Sequence, residues 1–171
     1  MSILKSKKLY TITLLLALML IITFMKGFFI DNIKKVAISN NNIEGFTKYS
    51  LREGRYTISL PKGWEVREES KDDDLIISFN NESIIYGDIS IVDGELVEVS
   101  ENIDQNNKHI KTENNIYIWK VITLDEDGNI DKYYLRNYSE GRVLIIKYSY
   151  KKSKVKNSIK VVFDNISDSF Q

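Results

Sequence analysis

The sequence of 171 residues contains no cysteine, one histidine and one proline. The absence of cysteine excludes disulfide bonds, thiolate metal ligands, a cysteine nucleophile and lipid attachment at an N-terminal cysteine. For an exported domain, it indicates a core large enough to be stable without covalent cross-links. Gly87, Gly94 and Gly128 are isolated from one another, so the sequence has no glycine-rich loop for binding phosphate.

The single histidine limits both metal binding and catalysis. His109 alone cannot form a histidine-based metal site, and without cysteine the soft metals are excluded as well. A Ser-His-Asp relay would have to use His109, which lies in a polar, asparagine-rich stretch typical of an exposed loop. We therefore expect no catalytic residues, no cofactor-binding residues and no metal site.

Two short matches to a serine-lysine motif do not change this expectation. The S-x-x-K pattern of penicillin-recognising enzymes occurs from Ser149 to Lys152 and from Ser153 to Lys156. Catalysis would require the lysine to lie one helical turn from the serine, together with separate partner motifs such as K-T-G. Ser149 falls in a predicted strand and no K-T-G is present, so chance matches in a lysine-rich segment explain the pattern.

Two acidic runs have structural explanations. The run from Asp125 to Asn129 resembles the start of a calcium loop, but the sixth and twelfth positions are Ile130 and Arg136 instead of glycine and glutamate. A hairpin turn at Asp127-Gly128 explains the run without an ion. The run 72–74 contains three adjacent aspartates, which do not share one face of a strand and are typical of a solvated loop.

The charges are balanced overall but unevenly distributed along the chain. The formal net charge is zero, with 24 basic and 24 acidic residues, so nothing in the composition favours nucleic acid as a partner. Acids dominate residues 65–104, whereas every charge in residues 142–160 is positive. These segments are either two solvated faces or, at the basic end, a patch that contacts lipid headgroups or an anionic polymer. The lysines that would form this anionic-surface contact are Lys151, Lys152, Lys154 and Lys156.

An apolar run near the N-terminus predicts a transmembrane helix. Residues 9–25 carry no charge, and residues 27–30 extend the run to about 20 residues if Lys26 snorkels. Three lysines at positions 5, 7 and 8 precede the run and predict a cytoplasmic N-terminus. A cleaved signal peptide is the alternative, but no pair of small residues follows the run. We expect an uncleaved single-pass anchor in the cell membrane, with the C-terminal domain outside the cytoplasm.

The rest of the chain predicts one α+β domain. We expect the anchor and its flank in residues 1–30, a tether with little regular structure in residues 31–53, and the domain in residues 54–171. Alternation of apolar residues and turn signals predict strands at 55–60, 64–67, 75–79, 83–92, 116–124, 130–138 and 142–150. The last three should form an antiparallel meander. Helices are predicted at 95–109 and, from apolar residues at helical spacing, between Val155 and Phe170, where the apolar face must pack on the sheet.

Two segments of the domain resemble PsbP-like domains. The strand and corner from Tyr56 to Trp64 (YTISLPKGW) resemble the opening of such domains, and the ending from Ile166 to Phe170 resembles their close. The resemblance implies an αβα sandwich, in which helices flank a central antiparallel sheet on both faces. It also implies an accessory or binding protein, and it offers no catalytic residues. A protein anchor in place of a lipid-attached cysteine departs from the family pattern.

Aromatic residues are concentrated in the predicted meander. Most should pack in the core or across strands, but neighbours such as Tyr133 and Tyr134 must face opposite sides of the sheet. We therefore predict a membrane-anchored, non-catalytic binding or accessory domain with a protein or cell-wall partner. The alternatives are a cell-surface hydrolase with unidentified carboxylates, and a structural or immunity-type protein that acts through its helix. The heavy use of isoleucine, lysine and asparagine indicates a bacterial source.

Overall fold

The computed structural model describes residues 2–71, 74–81, 84–103 and 110–171. Helix α1 (Ser2–Asn40) comes first. The strands are β1 (Phe46–Leu51), β2 (Tyr56–Pro61), β3 (Glu65–Lys71), β4 (Asp74–Asn81), β5 (Ile85–Asp93), β6 (Ile110–Ile116), β7 (Trp119–Glu126), β8 (Asn129–Ser139) and β9 (Arg142–Lys151). Helix α2 (Leu96–Asn102) lies between β5 and β6, and a 3₁₀ turn (Lys152–Lys154) and helix α3 (Ile159–Asp168) follow β9.

Helix α1 has the length and composition of a membrane-spanning segment. The span from Lys8 to Asn40 has a mean hydropathy of 2.3 in its most apolar window, and that window is not buried against the rest of the protein. The hydroxyls of Thr13 and Thr23 donate to carbonyls one turn earlier, at 3.0 and 2.8 Å, which satisfies them within the helix. A signal sequence would meet the same criteria of length and composition.

The expected tether is more regular than its sequence suggests. Helix α1 continues for ten residues past Ile30, a rise of about 15 Å, and the six-residue strand β1 lies in the remainder of residues 31–53. The helix ends where Asn42 adopts a left-handed conformation with φ of 54°. The mixed polarity of residues 31–53 suggested a linker. The segment instead packs one face on the domain, and a single packed face is easily missed in a short polar sequence.

Seven strands form one antiparallel sheet in the order β3-β4-β5-β9-β8-β7-β6, and β1 pairs with β2 in a separate hairpin. Two-residue turns join β7 to β8 at Asp127-Gly128 and β8 to β9 at Glu140-Gly141. Positive φ angles at Asp127 (51°), Gly128 (83°) and Gly141 (66°) suit these turns. The predicted meander and its turns are therefore confirmed, and so is the α+β fold class.

One predicted strand was wrong in its extent. The segment 116–124 is divided by a turn at Tyr117 and Ile118, so that β6 ends at Ile116 and β7 begins at Trp119. Sequence analysis missed β6 because its residues are mostly polar and it forms an edge of the sheet, where only one neighbouring strand supports it. The predicted helix 95–109 is present as α2, and residues 104–109 of that prediction lie outside the described residues.

The two faces of the sheet have different covers. Helix α3 and the β1–β2 hairpin pack on the face that carries Leu144, Ile146 and Tyr148, which we call the α3 face. Helix α2 packs on the other face against Ile122, Leu135 and Val143, which we call the α2 face. Helices thus lie on both faces of the sheet.

Candidate functional site

The α2 face is covered by a described helix at one end only. At the other end a cavity of about 520 Å³ lies over the start of β5, the end of β9 and the start of β8. We call it the open-face cavity. Two of its apolar side chains are unusually accessible, since Ile84 is 38% exposed and Tyr86 is 50% exposed. Its described lining also includes Asp131, Ser149, Lys151 and Lys154.

A hydrogen-bonded network lies beside this cavity. The carboxylate of Asp131 accepts a hydrogen bond from Ser149 Oγ at 2.6 Å and forms an ion pair with Lys147 Nζ at 2.9 Å. Lys147 Nζ also lies 5.4 Å from the centre of the Tyr133 ring. Register explains the grouping, because Ser149 pairs with Tyr86 on one side and Asp131 on the other. These residues belong to three adjacent strands and lie far apart in sequence.

The protonation states of the network suit binding better than proton transfer. Burial acts to lower the pKa of Lys147, but its hydrogen bond to Asp131 and the nearby charges raise that pKa overall. Burial raises the pKa of Tyr133, against the opposing effect of Lys147. At neutral pH the amine is therefore charged and the phenol is neutral. The cluster offers fixed hydrogen-bond donors and acceptors and an aromatic ring, but no unprotonated amine that could act as a base.

A second cavity, of about 430 Å³, lies where α1 joins the domain. We call it the junction cavity. Its walls come from the end of α1, the β2–β3 turn, the end of β4 with the start of β5, and the segment after β9. Lys62, Lys154 and Lys156 line it together with Trp64 and several asparagines. Among the described lining residues none is acidic.

A buried charged cluster occupies the α3 face. Lys132 is only 5% exposed, and its Nζ lies 4.9 Å from the centre of the Tyr134 ring. The Tyr134 hydroxyl donates to Asp164 Oδ1 at 2.5 Å. Burial lowers the pKa of Lys132, and Asp164 partly opposes this effect. Trp119 Nε1 donates to Asp168 at 2.9 Å, so the same side of α3 is fastened to the sheet at a second point.

The four lysines expected to contact an anionic surface have different environments. Lys152 Nζ lies 3.4 Å from Asp125 Oδ2, and Lys156 Nζ donates to the carbonyl of Asn40 at 2.5 Å. Lys151 lines the open-face cavity, and Lys154 lines both cavities. The basic segment is thus divided among several contacts and does not present one uniform patch.

Two of the weak motifs have the environments that their structural explanations predicted. Ser149 donates to Asp131, whereas Lys152 lies by Asp125, so this S-x-x-K pair is not assembled. Asp125 Oδ1 accepts the Gly128 N–H at 2.9 Å within the β7–β8 turn, as expected of a hairpin. His109, Asp72 and Asp73 lie outside the described residues. Within the described ranges, no three acidic or histidine side chains converge where they would hold a metal ion.

The aromatic residues of the meander divide between the two faces. Trp119, Tyr134, Tyr148 and Tyr150 are buried on the α3 face, which confirms that packing explains most of them. Tyr133 lies on the α2 face, opposite to Tyr134, as alternation predicts. Sequence analysis missed Tyr86, Asp131 and Lys147 as one group. Their shared face within each strand was the only available signal, because the register between strands cannot be derived from local spacing.

Comparison with known proteins adds little to this description. No protein-family profile and no curated protein sequence matches the chain. Among solved structures, the chain is similar to a protein from Bacteroides thetaiotaomicron VPI-5482, with a TM-score of 0.48 and 11% sequence identity. The alignment covers 75% of this chain and 48% of that protein, so the chain spans about half of its length. At this level the similarity assigns neither a family nor a function.

Proposed function

We propose that the chain is a bacterial, membrane-anchored accessory protein whose domain binds a cell-wall glycan through the open-face cavity and carries out no catalysis of its own. The observation that carries the proposal is the accessible Tyr86 ring beside a fixed network of Asp131, Lys147 and Ser149. Ligand sites commonly combine apolar surface with a few oriented polar groups. A sugar chain presents both hydroxyl groups and apolar C–H faces, which match this arrangement.

The proposed topology rests on α1. The helix is apolar over enough residues to cross a bilayer, and the lysines before the apolar run favour a cytoplasmic N-terminus. The domain would then lie outside the cytoplasm, next to the cell wall. A wall polymer would be within its reach there, because the last turns of α1 extend beyond the apolar run.

Assignment to the PsbP-like domains remains part of the proposal. In its support, the Leu60-Pro61 and Gly63-Trp64 steps form the corner between β2 and β3, and helices lie on both faces of an antiparallel sheet. Trp64 packs its ring on Phe79, with centroids 5.8 Å apart. The corner is a packing feature, so the resemblance favours an accessory role without naming a ligand.

A direct binding measurement tests the proposal. The full chain in neutral nanodiscs would be titrated with soluble cell-wall glycan fragments, using Tyr86→Ala and, as a matched control, Tyr117→Ala. Tyr117 is also exposed but lies in the β6–β7 turn, away from the cavity. We expect Tyr86→Ala to weaken binding by several-fold to about tenfold and Tyr117→Ala to leave it unchanged. Equal affinities for the two variants would contradict the proposal.

Cross-linking distinguishes a protein partner from a glycan. A photoreactive amino acid would replace Tyr86, or Tyr117 as the control, in living cells. A protein captured at position 86 alone, with no glycan binding in the first experiment, would replace the glycan with a protein partner. Exchange of residues 9–30 for an unrelated transmembrane helix should preserve binding, whereas a protein that acts through its helix would lose it.

The hydrolase alternative has one feature in its favour. Asp88 and Asp131 lie on the same face of the sheet, and Lys147, the register partner of Asp88, is paired with Asp131. Two carboxylates are the usual machinery for glycoside cleavage. Mass spectrometry of the bound glycan after prolonged incubation tests this alternative, and we expect intact fragments. Cleavage that Asp131→Asn abolishes would favour the hydrolase.

We also propose that the basic segment after β9 contacts an anionic surface through Lys151, Lys152, Lys154 and Lys156. Each lysine near an acidic bilayer adds about 1 kcal/mol at low salt. Acylation of lysines, measured by mass spectrometry, should be slower in nanodiscs of phosphatidylglycerol than in neutral ones, and added salt should remove the difference. Equal acylation in both lipids would leave these lysines as a solvated face.

A further inference from the structure

The junction cavity has the composition of an anion site. Lys62 comes from the β2–β3 turn, whereas Lys154 and Lys156 follow β9, so three cations from distant parts of the chain line one space of about 430 Å³. The described lining residues supply no carboxylate to neutralise them. Positive charges that line one space repel one another, and a bound anion would relieve this repulsion.

The tryptophan of the cavity is a second, independent observation. Trp64 lines the cavity although its side chain is only 5% exposed. An indole N–H at the wall of a cavity can donate a hydrogen bond to water or to a ligand.

Hydrogen bonds within the protein hold the walls of the junction cavity in place, so that no ligand is needed to assemble it. The Lys62 N–H donates to the Gly45 carbonyl at 2.9 Å, and Lys156 Nζ donates to the Asn40 carbonyl at 2.5 Å. Asn41 Nδ2 donates to the Ala37 carbonyl at 2.8 Å and to Ser158 Oγ at 3.0 Å. The cavity therefore lies within a fixed junction between α1, the β2–β3 turn and the start of α3.

We propose that the junction cavity binds a phosphate group, from either an anionic phospholipid headgroup or a free phosphate ester. Phosphate accepts hydrogen bonds from several directions and carries charge, which suits two exposed lysines, an indole N–H and asparagine amides. Lys62 and Lys154 supply the amines, since Lys156 is already bound to α1. Bound phosphate would join the β2–β3 turn to the segment after β9, which Lys156 already fastens to the end of α1, and would strengthen the attachment of the domain to its anchor.

This proposal sharpens the anionic contact proposed above, and it does not depend on the open-face cavity. The diffuse contact and the cavity site require different lysines for binding. A diffuse contact would use all lysines after β9 about equally. The cavity uses Lys62, which lies outside that segment, and does not use Lys151 or Lys152, which do not line it.

Charge-matched double variants test the proposal on the full chain in nanodiscs. Lys62→Gln with Lys154→Gln removes two cavity charges, and Lys151→Gln with Lys152→Gln removes two charges outside the cavity. Each protein would be titrated with inorganic phosphate at constant ionic strength in neutral discs, with tryptophan fluorescence as the readout. Each would also be compared between neutral and phosphatidylglycerol discs without added phosphate. Circular dichroism would confirm that all variants fold.

For inorganic phosphate in neutral discs, we expect saturable binding that the cavity variant weakens at least about tenfold and the control variant changes less than about twofold. In phosphatidylglycerol discs, where Lys151 and Lys152 also contact the bilayer, the cavity variant should lose more binding than the control variant. A response to inorganic phosphate in neutral discs identifies a free phosphate ester, and a response only to phosphatidylglycerol identifies a headgroup. Equal losses in both variants would overturn the cavity site and favour the diffuse contact. The absence of a saturable response to either probe would also overturn it.

Discussion

The two faces of the seven-stranded sheet bury very different amounts of apolar surface. The α3 face belongs to one large cluster that also includes α3 and the β1–β2 hairpin, and its largest side chains stack on one another, as Tyr148 and Phe163 do with centroids 4.1 Å apart. Among the described residues, the buried apolar cluster of the α2 face consists of Ile122, Leu124, Leu135 and Val143.

Because of this difference, the α3 face provides stability and the α2 face offers the surface that we propose for binding. Tyr134 and Tyr148 are buried on the α3 face and serve the core, and burial raises the pKa of both well above the usual range. The α2 face keeps polar and aromatic side chains accessible around the open-face cavity. A sheet with one fully covered face can leave part of the other face free for a ligand without losing its core.

The largest effect is expected on the α3 face. Phe163 is fully buried between Tyr148 and Tyr150, and Phe163→Ala would leave a cavity where the ring had been. We expect a loss of about 3–5 kcal/mol in the free energy of unfolding. Urea unfolding of the full chain in detergent, followed by fluorescence, measures it. A loss below about 1 kcal/mol would mean that α3 does not depend on this contact.

A matched pair of leucines compares the two faces directly. Leu144 and Leu135 are both fully buried, and they lie on adjacent strands but point to opposite faces. Replacement of either by alanine should cost about 2–5 kcal/mol, with Leu144→Ala near the upper limit. Leu135→Ala should cost less, because the short helix α2 can shift to fill the space. Equal losses in urea unfolding would remove the energetic distinction between the faces.

A smaller loss of stability is expected from a substitution at Gly87, where the α3 face has no side chain. The Phe79 ring covers Gly87, and an added Cβ would lie 2.0 Å from Phe79 Cε2. Gly87→Ala should therefore displace the ring and cost about 1–3 kcal/mol by overpacking. Phe79→Leu combined with Gly87→Ala should cost less than the sum of the two single changes, because the smaller side chain leaves room. Additive losses would show that the ring and the new methyl group do not interact.

The smallest effect concerns the charge buried on the α3 face. Burial lowers the pKa of Lys132, so the unfolded chain binds a proton that the folded chain has lost between the folded pKa and about 10.5. Stability should consequently rise with pH in that window, relative to a Lys132→Met variant that lacks the group. Unfolding free energies of both proteins between about pH 8 and 10 would be compared.

Between about pH 8 and 10 the buried tyrosines do not affect the comparison, because their raised pKa values lower the stability only above about pH 10. Parallel curves for the two proteins would show that Lys132 titrates equally in the folded and unfolded states.

Several elements could be predicted because they depend on neighbouring residues. The apolar run predicts α1, the Asp127-Gly128 and Glu140-Gly141 turns predict the hairpins of the meander, and the spacing from Ile159 to Ile166 predicts α3. Each of these signals lies within one or two turns of chain, where side-chain periodicity and backbone preference act directly. The fold class follows from their order.

The remaining features could not be predicted from local patterns. Strand β6 is polar, and its place at the edge is decided by pairing with β7. The open-face cavity depends on how far the seven-residue α2 extends over the sheet and on the register that groups Tyr86, Ser149 and Asp131.

The sequence by itself therefore determined the long apolar helix, the meander, the final helix and the absence of cysteine chemistry, because each depends on composition or on residues close together in the chain. Only the tertiary structure decided that α1 continues to the domain and that Lys62 and Lys154 line one cavity with Trp64. The physical reason is the distance along the chain. Groups separated by about ninety residues come together only through strand order and helix packing, which no local spacing encodes.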